Sequence, residues 1–169
     1  MNKTEIRAML KVDCEIIANA FQAQGWNKSK KLYLQYFAEQ QSGERDVFIA
    51  EYDGEFAAYV TIKWETNYSY FRENKIPEIK DLNTLRKFCN KGIATILMNK
   101  AEERIKEKGY SIVGMGVGLY SDYGVAQRMY IKRGYNFDGR GLMYKGETVK
   151  PGNDVFVDDN LNLNMIKKL

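Results

Sequence analysis

The stretch "KFCNKGIATILMNKAEERIKEKGY", residues 87–110, opens on a small basic loop and runs into a helical pattern from Gly92 to Lys108. Ile93, Leu97, Ala101 and Ile105 recur every fourth position, with Ala94 and Met98 alongside, which is the apolar stripe of an amphipathic helix. Lys106 and Lys108 suit the negative end of the helix dipole, and Gly109 is a natural stop. The start is less conventional, because no acidic or hydroxyl residue stands there as a cap. Asn90, Lys91 and Gly92 instead precede a helix end whose first N–H groups have no intrahelical partner. Such an end attracts anions: Gly92 lets the backbone approach one closely, and Arg86, Lys87 and Lys91 supply cations nearby. A plain helix start with a glycine in a tight turn accounts for the same residues.

Outward from this stretch the chain alternates strands and helices. Strand character runs from Ile79 to about Phe88, and residues 111–119 (SIVGMGVGL) read as a buried strand. With the helix between them they form a βαβ unit, whose strands should be parallel with a right-handed crossover. Ligands of such units sit beyond the carboxyl ends of the strands, where residues 86–91 lie. Upstream, residues 5–10 read as a strand with Ile6, Ala8 and Leu10 on one face. Asp13 looks like an N-cap for a helix with the stripe Ile16, Ile17, Ala20 and Phe21, ending at Gly25. A second helix, about 28–42, carries Leu32, Tyr33, Tyr36 and Phe37 and stops at Gly43. DVFIAEY and FAAYVTIKW flank Asp53-Gly54-Glu55, a strong hairpin signal. Residues 65–75 read as a loop. A helix at about 123–133 and strands near 140–144 and 155–166 complete the order βααβββαβαββ. This is an α/β fold, a mixed sheet flanked by helices, read as one domain over residues 1–169 without repeats or linkers.

Composition removes several function classes. The chain has no histidine, which excludes serine–histidine triads, histidine metal sites and the usual general base. Two cysteines, Cys14 and Cys89, are too few for a disulfide framework or a thiolate metal site, so no metal is expected. No apolar run approaches the ~18 residues of a membrane helix, and the start lacks a signal peptide's apolar region, so a cytoplasmic address and no membrane partner are expected. The net charge of +4 suits an anionic ligand. It does not argue for nucleic acid, and Lys100 to Lys108 alternates signs as a self-paired solvated face does. A P-loop pattern is absent, and Gly114, Gly116 and Gly118 alternate within a strand rather than at a strand–helix turn. Nucleotide hydrolysis and dinucleotide binding are therefore poorly supported.

The segment C89-N-K-G92-I-A94 resembles the acyl-CoA pyrophosphate loop of the GNAT superfamily of N-acetyltransferases, Q/R-x-x-G-x-G/A. Residues 122–144, DYGVAQRMYIKRGYNFDGRGLMY, resemble that family's second motif: Ala-x-x-x-Tyr on a helix, then Gly-aromatic and a strand. The element order is also the family's. The resemblance implies that backbone N–H groups from Asn90 through Lys91, Gly92, Ile93 and Ala94 to Thr95 bind the coenzyme A pyrophosphate. It implies that the strand end at Leu85, Arg86 and Lys87 meets the pantetheine arm, which the alternating glycines 114, 116 and 118 would give room. Tight packing explains those glycines equally well. Tyr130 matches the tyrosine that protonates the leaving thiolate in many members, its alternative being a core residue on the stripe Ala126–Tyr130. Cys89 departs from the family's Arg or Gln, which leaves the backbone amides intact; a thiol nucleophile there has no histidine relay. Asp122 and Tyr123 stand where the family often has an asparagine for the pantetheine. Tyr123 is counted with the coenzyme residues, and the group filling that role stays open.

An amine acceptor must lose a proton. Glu78 and Asp81, near the strand before the loop, are the candidate bases; Glu65 and a water chain are the alternatives. Asp81 shares strand parity with Asn83 and Leu85. The aromatic loop from Trp64 through Glu65 and Tyr68 to Phe71, with Trp26, is a candidate cationic acceptor site. The resulting expectation is an acetyl-CoA-dependent N-acetyltransferase working through a ternary complex, on an amine of a small molecule or peptide and with a homodimer open. A non-catalytic acyl-CoA sensor on the same fold is the alternative.

Overall fold

The computed structural model describes residues 3–169. Its elements are β1 (Thr4–Ala8), α1 (Asp13–Ala23), α2 (Lys30–Ser42), β2 (Arg45–Tyr52), β3 (Glu55–Lys63), α3 (Ser69–Glu73), β4 (Glu78–Thr84), α4 (Ile93–Glu107), β5 (Ile112–Gly118), α5 (Gly124–Lys132), β6 (Asn136–Tyr144), β7 (Glu147–Thr148) and β8 (Leu161–Lys168). Short 3-10 turns lie at Arg86–Phe88 and Ser121–Tyr123. The fold is α/β with mixed strand pairing, as the sequence implies. It forms two compact units: one runs to Trp64 and takes in Ile79–Glu107, the other combines Glu65–Glu78 with Lys108–Leu169. Among the described residues no helix is long and apolar enough to cross a membrane.

In the first unit the strand order is β1-β2-β3-β4. β2 and β3 make the hairpin that Asp53-Gly54 announces: both residues have positive φ, 51° and 80°, and Tyr52 pairs with Glu55 across them. That is the geometry of a two-residue type I′ turn. The flanking run is not half-solvated, however. Every β3 residue from Phe56 to Ile62 is buried, and because successive side chains point to opposite faces, both faces of β3 are covered. α1 and α4 both pack on it.

Two N-terminal expectations are corrected. β1 ends at Ala8, Met9 is buried, and Leu10 is exposed, so the stripe Ile6, Ala8, Leu10 is not the buried one. Asp13 does not cap α1 but is its first residue. Its carboxylate accepts Arg7 Nη1 and Nη2 at 2.6 and 2.8 Å and the Leu10 N–H at 2.7 Å. α1 consequently buries Cys14, Ile17, Ala18 and Phe21 and leaves Ile16 exposed. α2 stops as expected at Gly43, whose φ is 81°. The outer face of α4 is self-paired, with Lys100–Glu103 at 2.8 Å and Arg104–Glu107 at 3.5 Å.

A half-buried charge cluster ties α2 to the hairpin. Glu39 accepts Arg45 Nε at 2.5 Å and Gln35 Nε2 at 2.9 Å, and Lys63 Nζ lies 3.3 Å away. Burial opposes its charge, but these donors and cations win and hold the carboxyl down at about 2. A depressed folded-state value stabilises the fold fully above the usual carboxylate value, and that stabilisation is lost as pH falls through the folded one. Stability should therefore fall by roughly 3 kcal/mol between pH 5 and pH 2 through this group alone. Urea midpoints measured across that range should show a flatter profile for Glu39→Gln; equal slopes for the two proteins would remove Glu39 from the account.

In the second unit the order is β5-β8-β6-β7. β5 and β8 run antiparallel from Ile112↔Lys168 to Gly118↔Asn162, and β6 joins β8 with a register shift between Phe137 and Leu142. Glu78, the first residue of β4, pairs with Gly114 in the parallel sense expected of the βαβ unit. The presumed loop 65–75 contains α3, because Phe71 anchors it in a core cluster with Tyr68, Ile76 and Met143. That cluster also explains one glycine of β5. A Cβ on Gly114 would stand 2.4 Å from the Phe71 ring, and one on Gly118 equally close to the Tyr123 ring. Close approach by aromatic side chains, not by helix backbone, is what these two glycines permit.

Candidate functional site

The loop ahead of α4 is shaped by two left-handed residues, Asn90 with φ 63° and Gly92 with φ 77°. Asparagine and glycine are the residues that tolerate this region. The first N–H drawn into the helix is that of Ile96, which donates to Gly92 O at 3.1 Å; those before it lie outside the helical ladder. Cys89, Asn90, Lys91 and Gly92 are exposed, Ile93 is buried and anchors the turn, and Ala94 and Thr95 face outward in part. Nothing lies within 4 Å of where a Gly92 side chain would be. The result is an open concavity of N–H groups at the positive end of a fifteen-residue helix, which fits a pyrophosphate.

Each basic residue of the loop has a partner. Lys87 pairs with Glu55, Lys91 sits 4.7 Å from the Tyr52 ring, and Arg86 lies 5.6 Å from the Trp26 ring with Nη1 on Gln24 O at 3.1 Å. The strand end is partly occupied as well. Leu85 N–H donates to Ala57 O at 2.8 Å and Arg86 N–H to Gln24 Oε1 at 3.0 Å. Those two amides are engaged within the chain, so a pantetheine amide would have to displace Gln24 to use the second. Cys89 Sγ rests 3.7 Å from Leu85 O.

Asp81 sits in the same unit, in a cluster the sequence does not announce. Its φ of 52° is in the left-handed region, a rare setting for a non-glycine residue inside a strand. Tyr36 O–H donates to Asp81 Oδ2 at 2.5 Å, while Asn83 Nδ2 and Lys28 Nζ donate to Tyr59 Oη at 3.2 and 3.4 Å. Asp81 and Asn83 thus serve one cluster, as their shared parity suggests, despite the irregular backbone. The rings of Tyr33, Tyr36 and Tyr59 meet edge to face at 5.6–6.1 Å. Burial, followed by the Asp81 charge, pushes the Tyr36 and Tyr59 phenols well above their ordinary range and Tyr33 up to about 12. Among the described residues, Tyr33 Oη and Gln24 Nε2 are buried without a hydrogen-bond partner. Sequence reasoning treats Tyr33 and Tyr36 as a core stripe. The available signal was two phenols where leucine or phenylalanine would fill the core without a hydroxyl to satisfy.

The remaining candidates divide between the units. Trp26 stacks on Phe21 with centroids 5.4 Å apart, and Trp64 Nε1 donates to Asp46 at 3.3 Å. In the second unit Glu65 is exposed, while Tyr68 is a buried core residue whose hydroxyl donates to Asp138 at 2.7 Å. Trp26, Trp64 and Tyr68 each have a partner within their own unit. Glu78 is buried, with Thr66 O–H donating to Oε2 at 2.5 Å. Tyr130 is buried on α5, edge-on to Tyr135 at 6.0 Å. Tyr123 packs on Gly118 and donates to Asp159 at 2.9 Å. No group of three or more acidic or cysteine side chains among the described residues could hold a metal ion.

An uncharacterised N-acetyltransferase of Archaeoglobus fulgidus is 36% identical over 85 residues, 49% of this chain and 56% of that one. The chain thus spans about half the length of that curated relative. The fold is that of a ribosomal-protein-alanine N-acetyltransferase from Brucella melitensis, with a TM-score of 0.72 at 14% identity over 98% of this chain and 99% of the other. It is also that of an N-acetyltransferase from Thermoplasma acidophilum solved with coenzyme A, with a TM-score of 0.69 at 18% identity over 99% of each chain. The acetyltransferase (GNAT) family profile matches residues 13–135, across both the loop before α4 and the Tyr130 helix, and the chain belongs to that family.

Proposed function

We propose that the protein transfers an acetyl group from acetyl-coenzyme A directly to a primary amine of a small molecule or peptide. The observation that carries this reading is the exposed N–H concavity built by Asn90 and Gly92 at the start of α4. The family match enters both compact units, which supports taking residues 1–169 as one acetyltransferase domain. Bound at the loop, acetyl-CoA supplies an activated acyl carbonyl and a thiol leaving group.

The chain's own residues supply the rest. Backbone N–H groups from Asn90 to Thr95 hold the pyrophosphate, and the α4 dipole adds to their field. Asp81 accepts the proton of the attacking amine. It suits this better than Glu78, because it is half-exposed whereas Glu78 is buried against Thr66. Tyr36 donates to one Asp81 oxygen and fixes the carboxylate's orientation. The carboxylate charge of half-exposed Asp81 favours a cationic acceptor, while the Tyr33, Tyr36 and Tyr59 rings beneath it are buried and hold its surroundings in place. Tyr130 gives its phenolic proton to the departing sulfur.

Calorimetric titration of the full chain with acetyl-CoA, with ATP and NAD as controls, tests the reading. Selective saturable binding, followed by amine-dependent release of free thiol that Asp81→Asn lowers at unchanged coenzyme affinity, is the expected result. A folded protein that takes up none of the three nucleotides would overturn it.

A further inference from the structure

We infer that the protein associates as a twofold dimer in which an acidic arm of each copy seats in an apolar groove of the other. Both surfaces belong to the second unit, and neither depends on the transferase reading.

The groove is a cavity of about 550 Å³. Val117 and Leu119 from the β5 end, Leu163 and Met165 from β8, Phe137 from β6 and Ile131 from α5 line it. Val117 and Met165 on its floor are buried, but Ile131 and Phe137 are 51% and 55% exposed, so apolar surface stands open to water at a substantial cost. Arg128 and Lys132, one turn apart on α5, make its rim basic. This is a different face of α5 from that of the buried Tyr130.

The arm is the connection from β7 to β8. Its Phe156 and Val157 are 76% and 68% exposed, and Asp154 beside them is exposed too. The arm is nonetheless held at both ends. At one, Asn153 N–H closes a turn on Lys150 O at 3.0 Å, and Asn153 Oδ1 accepts the Lys150 N–H at 2.9 Å. At the other, Asp158 accepts Tyr144 O–H at 3.1 Å, and Asp159 accepts the phenols of Tyr120 and Tyr123. An arm fixed this way projects Phe156 and Val157 with little entropy left to lose on docking.

The two surfaces are complementary in kind. An apolar floor meets two apolar side chains, and a rim with two cations meets an acid. The arm's anchors keep Phe156 and Val157 off their own groove, as their exposure records, so the fitting occupant is the arm of a second copy. A twofold axis makes the contact twice, since arm i on groove j entails arm j on groove i.

Sedimentation equilibrium of the full chain over a concentration series tests this. The wild type should be dimeric at micromolar concentrations. Phe156→Glu should raise the dimer dissociation constant about tenfold or more, the loss expected for a buried aromatic anchor. Two charge variants cover the case in which that change affects folding: Arg128→Glu with Lys132→Glu on the groove, and Asp154→Lys on the arm. Each alone should be monomeric, and an equimolar mixture should dimerise again, because every arm then meets a rim of opposite charge. A monomeric wild type overturns the inference, as does a dimer that all three variants leave intact. A wild-type monomer that binds fatty-acid carboxylates or a peptide through the groove would overturn it in favour of that occupant.

Discussion

Tyr130→Phe should lower kcat by about 10²–10⁴ while leaving acetyl-CoA affinity within about twofold, because general-acid assistance is worth that much and the change removes only the proton donor. A thiolate leaving without a proton is a poor departure, so the loss should fall on kcat and kcat/KM together, the pattern of an interaction made only in the transition state. The rival explanation of any effect is packing: Tyr130 is buried and its ring meets Tyr135 edge-on at 6.0 Å. Phenylalanine keeps that ring contact. Tyr135→Phe, in the other partner of the same pair, provides the control: it alters a buried hydroxyl at a neighbouring position and should leave kcat nearly unchanged. Steady-state release of free thiol, with coenzyme affinity from calorimetry, separates the two. Equal losses in both variants would make Tyr130 a core residue and leave proton donation to water.

The two motifs were legible because they are local. The loop 89–94 and the helix before Tyr130 each depend on a run of residues whose backbone geometry follows from glycine positions and apolar periodicity. The hairpin at Asp53-Gly54 and the stop at Gly43 belong to the same class. What could not be read depends on contacts across the chain. Asp81 and Tyr36 are 45 positions apart, and nothing in β4 signals a left-handed aspartate. The acceptor residues read from proximity in sequence, Trp64, Glu65 and Tyr68, straddle the change from one compact unit to the other. Trp64 and Tyr68, four positions apart, donate to Asp46 and Asp138 respectively, partners far away in sequence. Gly114 and Gly118 mark close approach, as expected, but only the tertiary structure says that aromatic rings approach them.

The misread start of α1 yields the largest expected effect on stability. Arg7→Ala should cost up to about 3–5 kcal/mol, the range for stranding a buried charge, with the full value reduced because the Arg7 side chain is 33% exposed. Asp13 is 1% exposed, and two of the three donors described for its carboxylate come from the Arg7 fork. The same guanidinium also donates to Glu51 on β2. One side chain therefore joins β1, β2 and the start of α1, and the hydrogen bonds it donates to Asp13 lead the interactions that raise its pKa far above the ordinary value. Truncation leaves a buried carboxylate without its counterion, and of the donors described for it the Leu10 N–H alone stays. At about 2–4 °C per kcal/mol for a chain of this length, the melting temperature should drop by up to roughly 6–20 °C. Arg7→Lys should recover only part of this, since an ammonium cannot supply the paired N–H bonds of the fork. The double variant Arg7→Ala with Asp13→Ala should be more stable than Arg7→Ala alone, because the uncompensated charge is gone. Urea unfolding of the four proteins would show it. A double variant no better than the single one would mean that the penalty is lost packing and not a stranded charge.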